Sequence, residues 1–236
     1  MEKKELIREG KVKKVYATDH PDQIIVCYED KATAGDGDKV GSIANKGAIN
    51  NKMTNILFRL LEQAGVHTDF IEELNDQEVL VRKAEMYPLE VIVRNIAAGH
   101  FCLRYGVEKG MKFDQPTFEF SLKNDELHDP LINDSHLVAL KMAKQEDLDA
   151  IRESALKVNE VLKEYFAKLG IILVDFKLEY GLDSDGKVML CDEISPDSCR
   201  FWDAKTGESL DKDRFRQDLG GVDEAYEEMF RRVTEK

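Results

Sequence analysis

The stretch Ile171-Ile-Leu-Val-Asp-Phe-Lys-Leu-Glu-Tyr-Gly181, a turn at Asp185-Gly186 and then Val188-Met-Leu-Cys-Asp-Glu-Ile-Ser-Pro-Asp197 reads as a β-hairpin. Side chains alternate along a strand, so Ile172, Val174, Phe176, Leu178 and Tyr180 are expected on one apolar face and Asp175, Lys177 and Glu179 on the other. A two-residue turn would pair Ser184 with Lys187, Tyr180 with Cys191 and Glu179 with Asp192; a four-residue turn would shift the partners and still keep Asp192 on the polar face. Two carboxylates side by side repel each other and call for a cation, and oxygen ligands suit a hard ion such as Mg2+. A solvated face of an ordinary hairpin is the alternative. Acid, base and acid at spacing two, below a fully apolar face, favour a metal-phosphate site.

Outward toward the N-terminus, Leu148, Ile151, Ala155, Val158, Leu162, Tyr165 and Leu169 mark a core helix over about 145–169 that ends at Gly170. Before it, Thr117–Lys123 alternates Phe118 and Phe120 against Glu119 and Ser121, and Leu89–Ile96 places Glu90, Ile92 and Arg94 on one strand face. From local sequence Glu90 and Arg94 read first as a cross-face ion pair, although arginine's planar fork also suits phosphate. A composition change at Glu85-Met-Tyr-Pro88 sets a lobe boundary, dividing the chain into 1–84 and 85–236.

In the first lobe, Leu6-Ile7, Val12–Thr18 and Ile24–Tyr28 read as strands, Lys31–Gly41 as a loop, and Ile49, Met53, Ile56, Leu57, Leu60, Leu61 and Ala64 as a helix capped at Gly65. Thr68–Leu74 and Glu78–Ala84 add two strands. Gly10-Lys11-Val12-Lys13 sets two ammonium groups on one strand face, a weak signal that also fits a solvated strand. After the hairpin, a turn at Ser195–Ser198 keeps Arg200 near the polar face, Asp211–Arg216 reads as a solvated charged helix face, and Val222–Val233 as an amphipathic packing helix. The whole is an α+β chain with a strand-rich first lobe, a larger mixed second lobe and a cleft between them.

A length of 236 residues allows a substantial core, and 42% hydrophobic with 34% charged residues is the balance of a soluble globular chain. The net charge of −13 argues against general nucleic-acid binding, so Lys and Arg that bind small anions must be locally clustered. No apolar run reaches the length of a membrane span, and Met1-Glu-Lys-Lys-Glu5 has no secretory apolar segment, which makes the cytoplasm the expected compartment. Cysteines 27, 102, 191 and 199 lack metal or redox spacing and read as reduced thiols.

Seven ordered motifs, Gly10-Lys-Val-Lys-Lys-Val-Tyr16, Ala34-Gly-Asp-Gly37, Pro88-Leu-Glu-Val-Ile-Val-Arg94, Leu122-Lys-Asn-Asp125, His128-Asp-Pro130, the hairpin with Arg200, and Asp211-Lys-Asp-Arg-Phe-Arg216, resemble the SAICAR synthetase family over nearly the whole chain. The resemblance implies a two-lobed fold with ATP in the cleft, and the joining of L-aspartate to carboxyaminoimidazole ribotide with release of ADP and phosphate. It implies nucleotide contacts at Gly10, Lys11, Val12, Lys13, Val15, Lys83, Ala84, Met86 and Lys123, with Glu179 and Asp192 shared between nucleotide and Mg2+. It implies substrate contacts at Glu90, Arg94, Asp129, Asp175, Lys177, Arg200, Lys212 and Arg216, with Lys177 and Asp175 the catalytic pair. His100 stands where the family usually has serine after Ala-Ala-Gly and is carried as a substrate contact. Family members often assemble, so a homodimer is expected. A small-molecule kinase or a nucleotide-binding regulatory module would use the same lobes; a requirement for L-aspartate and release of free phosphate separate them from a ligase.

Overall fold

The longest strand, Ile171–Leu182, is the spine on which the other elements are arranged. The computed structural model describes residues 2–34 and 39–235, so Gly35-Asp-Gly37 of one quoted motif lies outside the described residues. In chain order the strands are β1 Lys3–Glu9, β2 Lys13–Thr18, β3 Gln23–Tyr28, β4 Lys31–Ala34, β5 Lys39–Ser42, β6 Phe70–Glu73, β7 Glu78–Arg82, β8 Glu85–Met86, β9 Leu89–Ile96, β10 Lys112–Leu122, β11 Leu131–Ile132, β12 Ile171–Leu182, β13 Val188–Cys191 and β14 Cys199–Asp203. Helices among the described residues are α1 Lys46–Gln63, α2 His100–Tyr105, α3 Asp134–Ala139, α4 Gln145–Lys168, α5 Asp213–Arg216 and α6 Val222–Thr234.

β1, β2, β3, β7 and β6 form one antiparallel sheet in that order, and β11, β10, β9, β12 and β13 a second, with β14 and β8 also paired to β12. The chain passes from the first sheet to the second between Arg82 and Glu85. Ile49, Met53, Leu57, Phe58 and Leu61 of α1 are buried with Val79 and Val81 of β7 in the main core, and Gly65 at φ +88 closes the helix in the left-handed conformation glycine adopts without strain. α4 packs on β12 through Leu148, Ile151, Ala155, Val158 and Leu162. The expected Tyr165 and Leu169 pack against the core half-buried, and Phe166, outside the expected stripe, is fully buried beside them.

Three local expectations are corrected. The pairing of β12 with β14 shifts register between Leu173 and Asp175. The added residue of such a bulge swaps the faces that follow it: Ile172 and Val174 pack with Ile96, Ala98 and Trp202, whereas Leu173, Phe176, Leu178 and Tyr180 join the main core. The hairpin turn is neither of the expected lengths. Leu182 pairs with Val188, Tyr180 with Leu190 and Glu179 with Cys191, because the Asp183 carboxylate accepts the N–H groups of Asp185 and Lys187, both at 2.9 Å, and draws residues 183–187 into a longer loop. The 31–41 segment is not simply a loop: β4 and β5 pair with each other, and the Lys39 ammonium donates to Phe215 O at 2.5 Å and to Asp218 Oδ1 at 2.6 Å.

The two sheets are joined by backbone hydrogen bonds on both sides of the crossing. Leu190 N–H donates to His67 O and Asp69 N–H to Leu190 O, both at 2.9 Å, while Tyr87 N–H donates to Tyr180 O at 3.0 Å. Gly181 is required there, since a Cβ on it would lie 2.8 Å from Ala84 Cβ and 2.9 Å from Glu85 O.

Candidate active site

β12 presents Asp175, Lys177 and Glu179 to one side, and each is the centre of a charge cluster. Lys177 Nζ lies 2.7 Å from Glu179 Oε1, 3.5 Å from Asp192 Oδ2 and 3.7 Å from Glu90 Oε1. Lys123 donates to both Glu179 oxygens at 2.6 Å. From the first sheet, Lys13 Nζ reaches Asp192 Oδ1 at 2.7 Å and Glu193 Oε1 at 3.0 Å and sits 4.5 Å from the Tyr28 ring centroid.

Although Asp192 is not opposite Glu179, it joins this face because its backbone has φ +70 and turns the chain back at the end of β13. Burial favours a neutral Asp192, but the Lys13 and Lys177 ammonium groups outweigh it and hold the carboxyl well below its ordinary range. Burial likewise opposes charge on Lys177, and Glu179, Asp192 and Glu90 together keep it firmly protonated. Glu90 is shifted upward by burial, with Lys177 opposing.

The second cluster surrounds Asp175, whose carboxylate lies between two arginines. Arg94 Nη1 is 2.6 Å from Asp175 Oδ2, and Arg200 Nη1 is 2.9 Å from the same oxygen. Strand pairing explains the arrangement: Asp175 is opposite Arg94 on β9 and opposite Arg200 on β14. Glu119 Oε2 accepts from Arg94 Nε at 3.3 Å and Nη2 at 3.2 Å. Arg200 Nε donates to Asp213 Oδ2 and Arg216 Nη1 to Asp213 Oδ1, both at 2.8 Å.

A third, buried cluster gathers Lys46 and Lys212 on Asp197 Oδ2 at 2.9 and 3.3 Å, with the Tyr226 hydroxyl donating to Asp197 Oδ1 at 2.6 Å. Asp211, Lys212 and Asp213 are all buried, which corrects the expectation of a solvated helix face over 211–216. Alternating charge there is satisfied internally, by Arg200, Arg216 and backbone N–H groups.

Of the remaining sequence-derived residues, Lys11 bridges to Asp125 Oδ2 at 2.8 Å across the two sheets. Gly10 N–H closes the β1–β2 turn on Lys13 O at 2.8 Å, Val12 O accepts from Glu29 N–H at 3.0 Å, and Val15 lies opposite Val26. Ala84 and Met86 flank the crossing beside Gly181, with Met86 paired to Gly181. Lys83 stands apart, in a cleft of about 720 Å³ lined also by Asp22, His67, Arg82 and Asp183. Asp129 is held by Asn124 N–H at 2.7 Å. His100 is the exposed first residue of α2, directly after Gly99, where a Cβ would fall 2.4 Å from Arg200 Nη2.

Sequence reasoning did not single out Glu119, Asp213, Glu193, Lys46 or Asp197 as site residues. Glu119 carried a usable signal, as a polar position alternating with Phe118 and Phe120 on a strand next to Arg94. Lys46 carried none, because a lysine opening a helix ordinarily faces water.

No group of three or more metal-binding side chains occurs among the described residues. Glu179 and Asp192 converge on the Lys177 ammonium, and two such carboxylates are oxygen donors that could hold a hard ion such as Mg2+, which takes the rest of its shell from phosphate oxygens and water.

Two joined antiparallel sheets, a lysine-bearing hairpin reaching over an acidic strand, and a pair of arginines set on the two strands flanking it define a nucleotide-dependent enzyme acting on small anions. The family model for SAICAR synthetase matches residues 6–233, and the chain belongs to that family. A phosphoribosylaminoimidazole-succinocarboxamide synthase of Caldanaerobacter subterraneus is 56% identical over 235 residues, covering all of both chains. The solved structure of the synthase from Ehrlichia chaffeensis superposes with a TM-score of 0.95 at 42% identity, over 97% of this chain and 98% of that one. A SAICAR synthetase in complex with ADP gives a TM-score of 0.94 at 49% identity, covering 97% of each. The activity is ATP-dependent carbon–nitrogen ligation in purine biosynthesis. No helix among the described residues is long and apolar enough to cross a membrane.

Proposed function

We propose that the chain activates the carboxylate of carboxyaminoimidazole ribotide as an acyl phosphate and that the amine of L-aspartate then displaces phosphate. The observation that carries this reading is the Lys177 ammonium shared by Glu179, Asp192 and Glu90, one strand step from an aspartate set between two arginines. A carboxylate is a poor electrophile, because its leaving group would be oxide. In the first step a carboxylate oxygen attacks the γ-phosphorus and ADP departs; in the second the amine attacks the acyl carbon and phosphate leaves, carrying that oxygen. The protein's contribution is to position the reactants and to meet developing charge with fixed charge.

In this reading Lys11 and Lys13 hold the ATP phosphates, Gly10, Val12, Val15, Lys83, Ala84, Met86 and Lys123 contribute nucleotide contacts, and Lys177 meets the transferred phosphoryl. Glu179 and Asp192 would hold Mg2+, which when bound neutralises charge between adjacent phosphates. Arg94, Arg200 and His100 take the ribotide phosphate, Glu90 and Asp129 orient the ribotide, and Asp175 orients substrate and accepts a proton from the amine. Lys212 and Arg216 supply cations for the carboxylates of L-aspartate. Residues 1–84 form the nucleotide-covering lobe and 85–236 the substrate lobe. ATP as co-substrate and four unpaired thiols support a cytoplasmic setting, and exposed Leu103, Leu140 and Leu219 support a homodimer, which sedimentation would test.

The deciding experiment uses ribotide labelled with 18O in its carboxylate. Transfer of one labelled oxygen to inorganic phosphate, dependent on L-aspartate and Mg2+, is expected. Unlabelled phosphate would overturn the acyl-phosphate route.

A further inference from the structure

We infer that Asp213 is a positioning residue that yokes Arg200 to Arg216, so that the sites for the ribotide phosphate and for the second anionic substrate are set by one carboxylate. This rests on the substrate assignment of those two arginines. The two oxygens of Asp213 are divided between them: Oδ2 accepts from Arg200 Nε and Oδ1 from Arg216 Nη1, each at 2.8 Å. Asp213 is buried, Arg200 is largely buried and Arg216 reaches it from the solvent side, and charge-assisted bonds to a buried carboxylate hold geometry strongly.

The yoke is itself braced. Asp211, fully buried, accepts the Asp213 N–H on Oδ1 at 2.7 Å and the Phe201 N–H on Oδ2 at 2.8 Å, and Leu210 N–H donates to Phe201 O at 2.8 Å. Phe201 follows Arg200 in β14, so the strand carrying one arginine and the helix start carrying the yoke are stitched together through a carboxylate that meets no cation of its own in these bonds.

Each atom of Arg200 then has a distinct task. Nε is taken by Asp213 and Nη1 by Asp175, which aims Nη2 at the backbone of Gly99, where even a methyl group would be only 2.4 Å away. His100 and Phe101 follow Gly99 in the chain, and Arg94 lies with its guanidinium 5.7 Å from the Phe101 ring centroid. Two arginines thus converge on one place, and the orientation of Arg200 there is fixed from behind by Asp213. Arg216 is on the other oxygen, so displacing the yoke moves both arms together.

Asp213→Asn keeps the shape and removes the charge. The expected result is a rise of about tenfold in KM for both the ribotide and L-aspartate, the order expected when a charge-assisted bond no longer holds its partner. KM for ATP should stay unchanged, and the folded fraction by circular dichroism should stay intact at the assay temperature. Asp213→Glu restores charge on a longer arm and should leave both KM values raised relative to that for ATP, which keeps the test available if the Asn variant does not fold. Arg200→Lys is the control for the underlying assignment and should raise KM for the ribotide alone. If Arg200→Lys has that effect while folded Asp213 variants leave both KM values unchanged, or lower kcat with no change in KM, the yoke is refuted and the substrate assignment stands. If Arg200→Lys is itself silent, the assignment fails and the yoke fails with it.

Discussion

Replacing Lys177 with Met removes the ammonium shared by Glu179, Asp192 and Glu90, and the consequences can be worked from its three contacts of 2.7, 3.5 and 3.7 Å. At an effective dielectric near 20, a contact of this length is worth about 4 kcal/mol before desolvation. Burying the lysine's own charge offsets much of that, Lys13 and Lys123 remain as partners, and the Lys177 side chain is 27% exposed. A net loss of about 2 kcal/mol follows, or about 4–8 °C in Tm for a chain of this size.

The pH dependence gives the sharper test. Asp192 has a depressed folded-state pKa, so its contribution is present above an unfolded value of about 3.9 and is lost only as pH falls through the lower folded value. Lys177 has a raised folded-state pKa, so its contribution is complete below about 10.4 and is lost only as pH rises through the higher folded value. Between about pH 5 and 9 the natural cluster therefore contributes a nearly constant amount. Without Lys177, which lowers both, Asp192 and Glu90 rise in pKa, and protonation relieves their repulsion as pH falls. The Tm deficit should be larger at pH 8 than at pH 5, while turnover falls by about two to three orders of magnitude and ATP binding remains measurable by calorimetry. Equal deficits at the two pH values would refute the electrostatic account, and unchanged turnover would remove Lys177 from the chemistry.

Gly181→Ala should cost about 1–3 kcal/mol, because the new methyl meets Ala84 and Glu85 backbone at under 3 Å; KM for ATP should rise while KM for the ribotide does not, and equal shifts would argue against a nucleotide contact at the crossing. Asp211 is pushed up to about 6 by burial and then by Asp213, so its contribution is complete below an unfolded value of about 3.9 and lost as pH rises through the folded value. The stability advantage of the natural chain over Asp211→Asn should accordingly shrink by about 2–3 kcal/mol between pH 4 and 7 in urea melts, and a constant difference would refute this. Lys46→Met takes one cation from buried Asp197 and should lower stability by about 3 kcal/mol; a Tm change under about 2 °C would show that Lys212 and Tyr226 suffice.

Alternation and capping made much of the fold legible. The polar series Asp175, Lys177 and Glu179 and the α1 stripe with Gly65 each have a local cause that a sequence displays. What stayed hidden depends on side chains acting over distance. The Asp183 carboxylate rewrote the hairpin loop by capturing two N–H groups, and the bulge before Asp175 is set by pairing to β14, a strand whose residues lie far along the chain from their partners in β12. Charge runs were the least readable signal. Asp211-Lys-Asp-Arg-Phe-Arg216 has the composition of a solvated surface, yet its carboxylates are buried, Asp213 against Arg200 of β14 and Arg216 of the same segment and Asp211 against backbone N–H groups, and nothing local distinguishes the two outcomes.

The seam between the sheets decides which parts can move independently. The first sheet is fastened at one edge, where residues 67–69 next to β6 hydrogen-bond to β13, and the chain that follows β7 is fastened to β12 through Tyr87 and Met86. Its opposite edge, β1, is exposed along its whole length and pairs only with β2. Backbone bonds thus hold one margin of the sheet, while farther across it side chains, Lys13 and Tyr28 on Asp192, reach the second sheet. The β1–β2 turn is tethered by the solvent-exposed Lys11–Asp125 contact and, just behind it, by the more buried Lys13 contacts to Asp192 and Glu193, so raising the ionic strength should loosen the tip of the turn before its base.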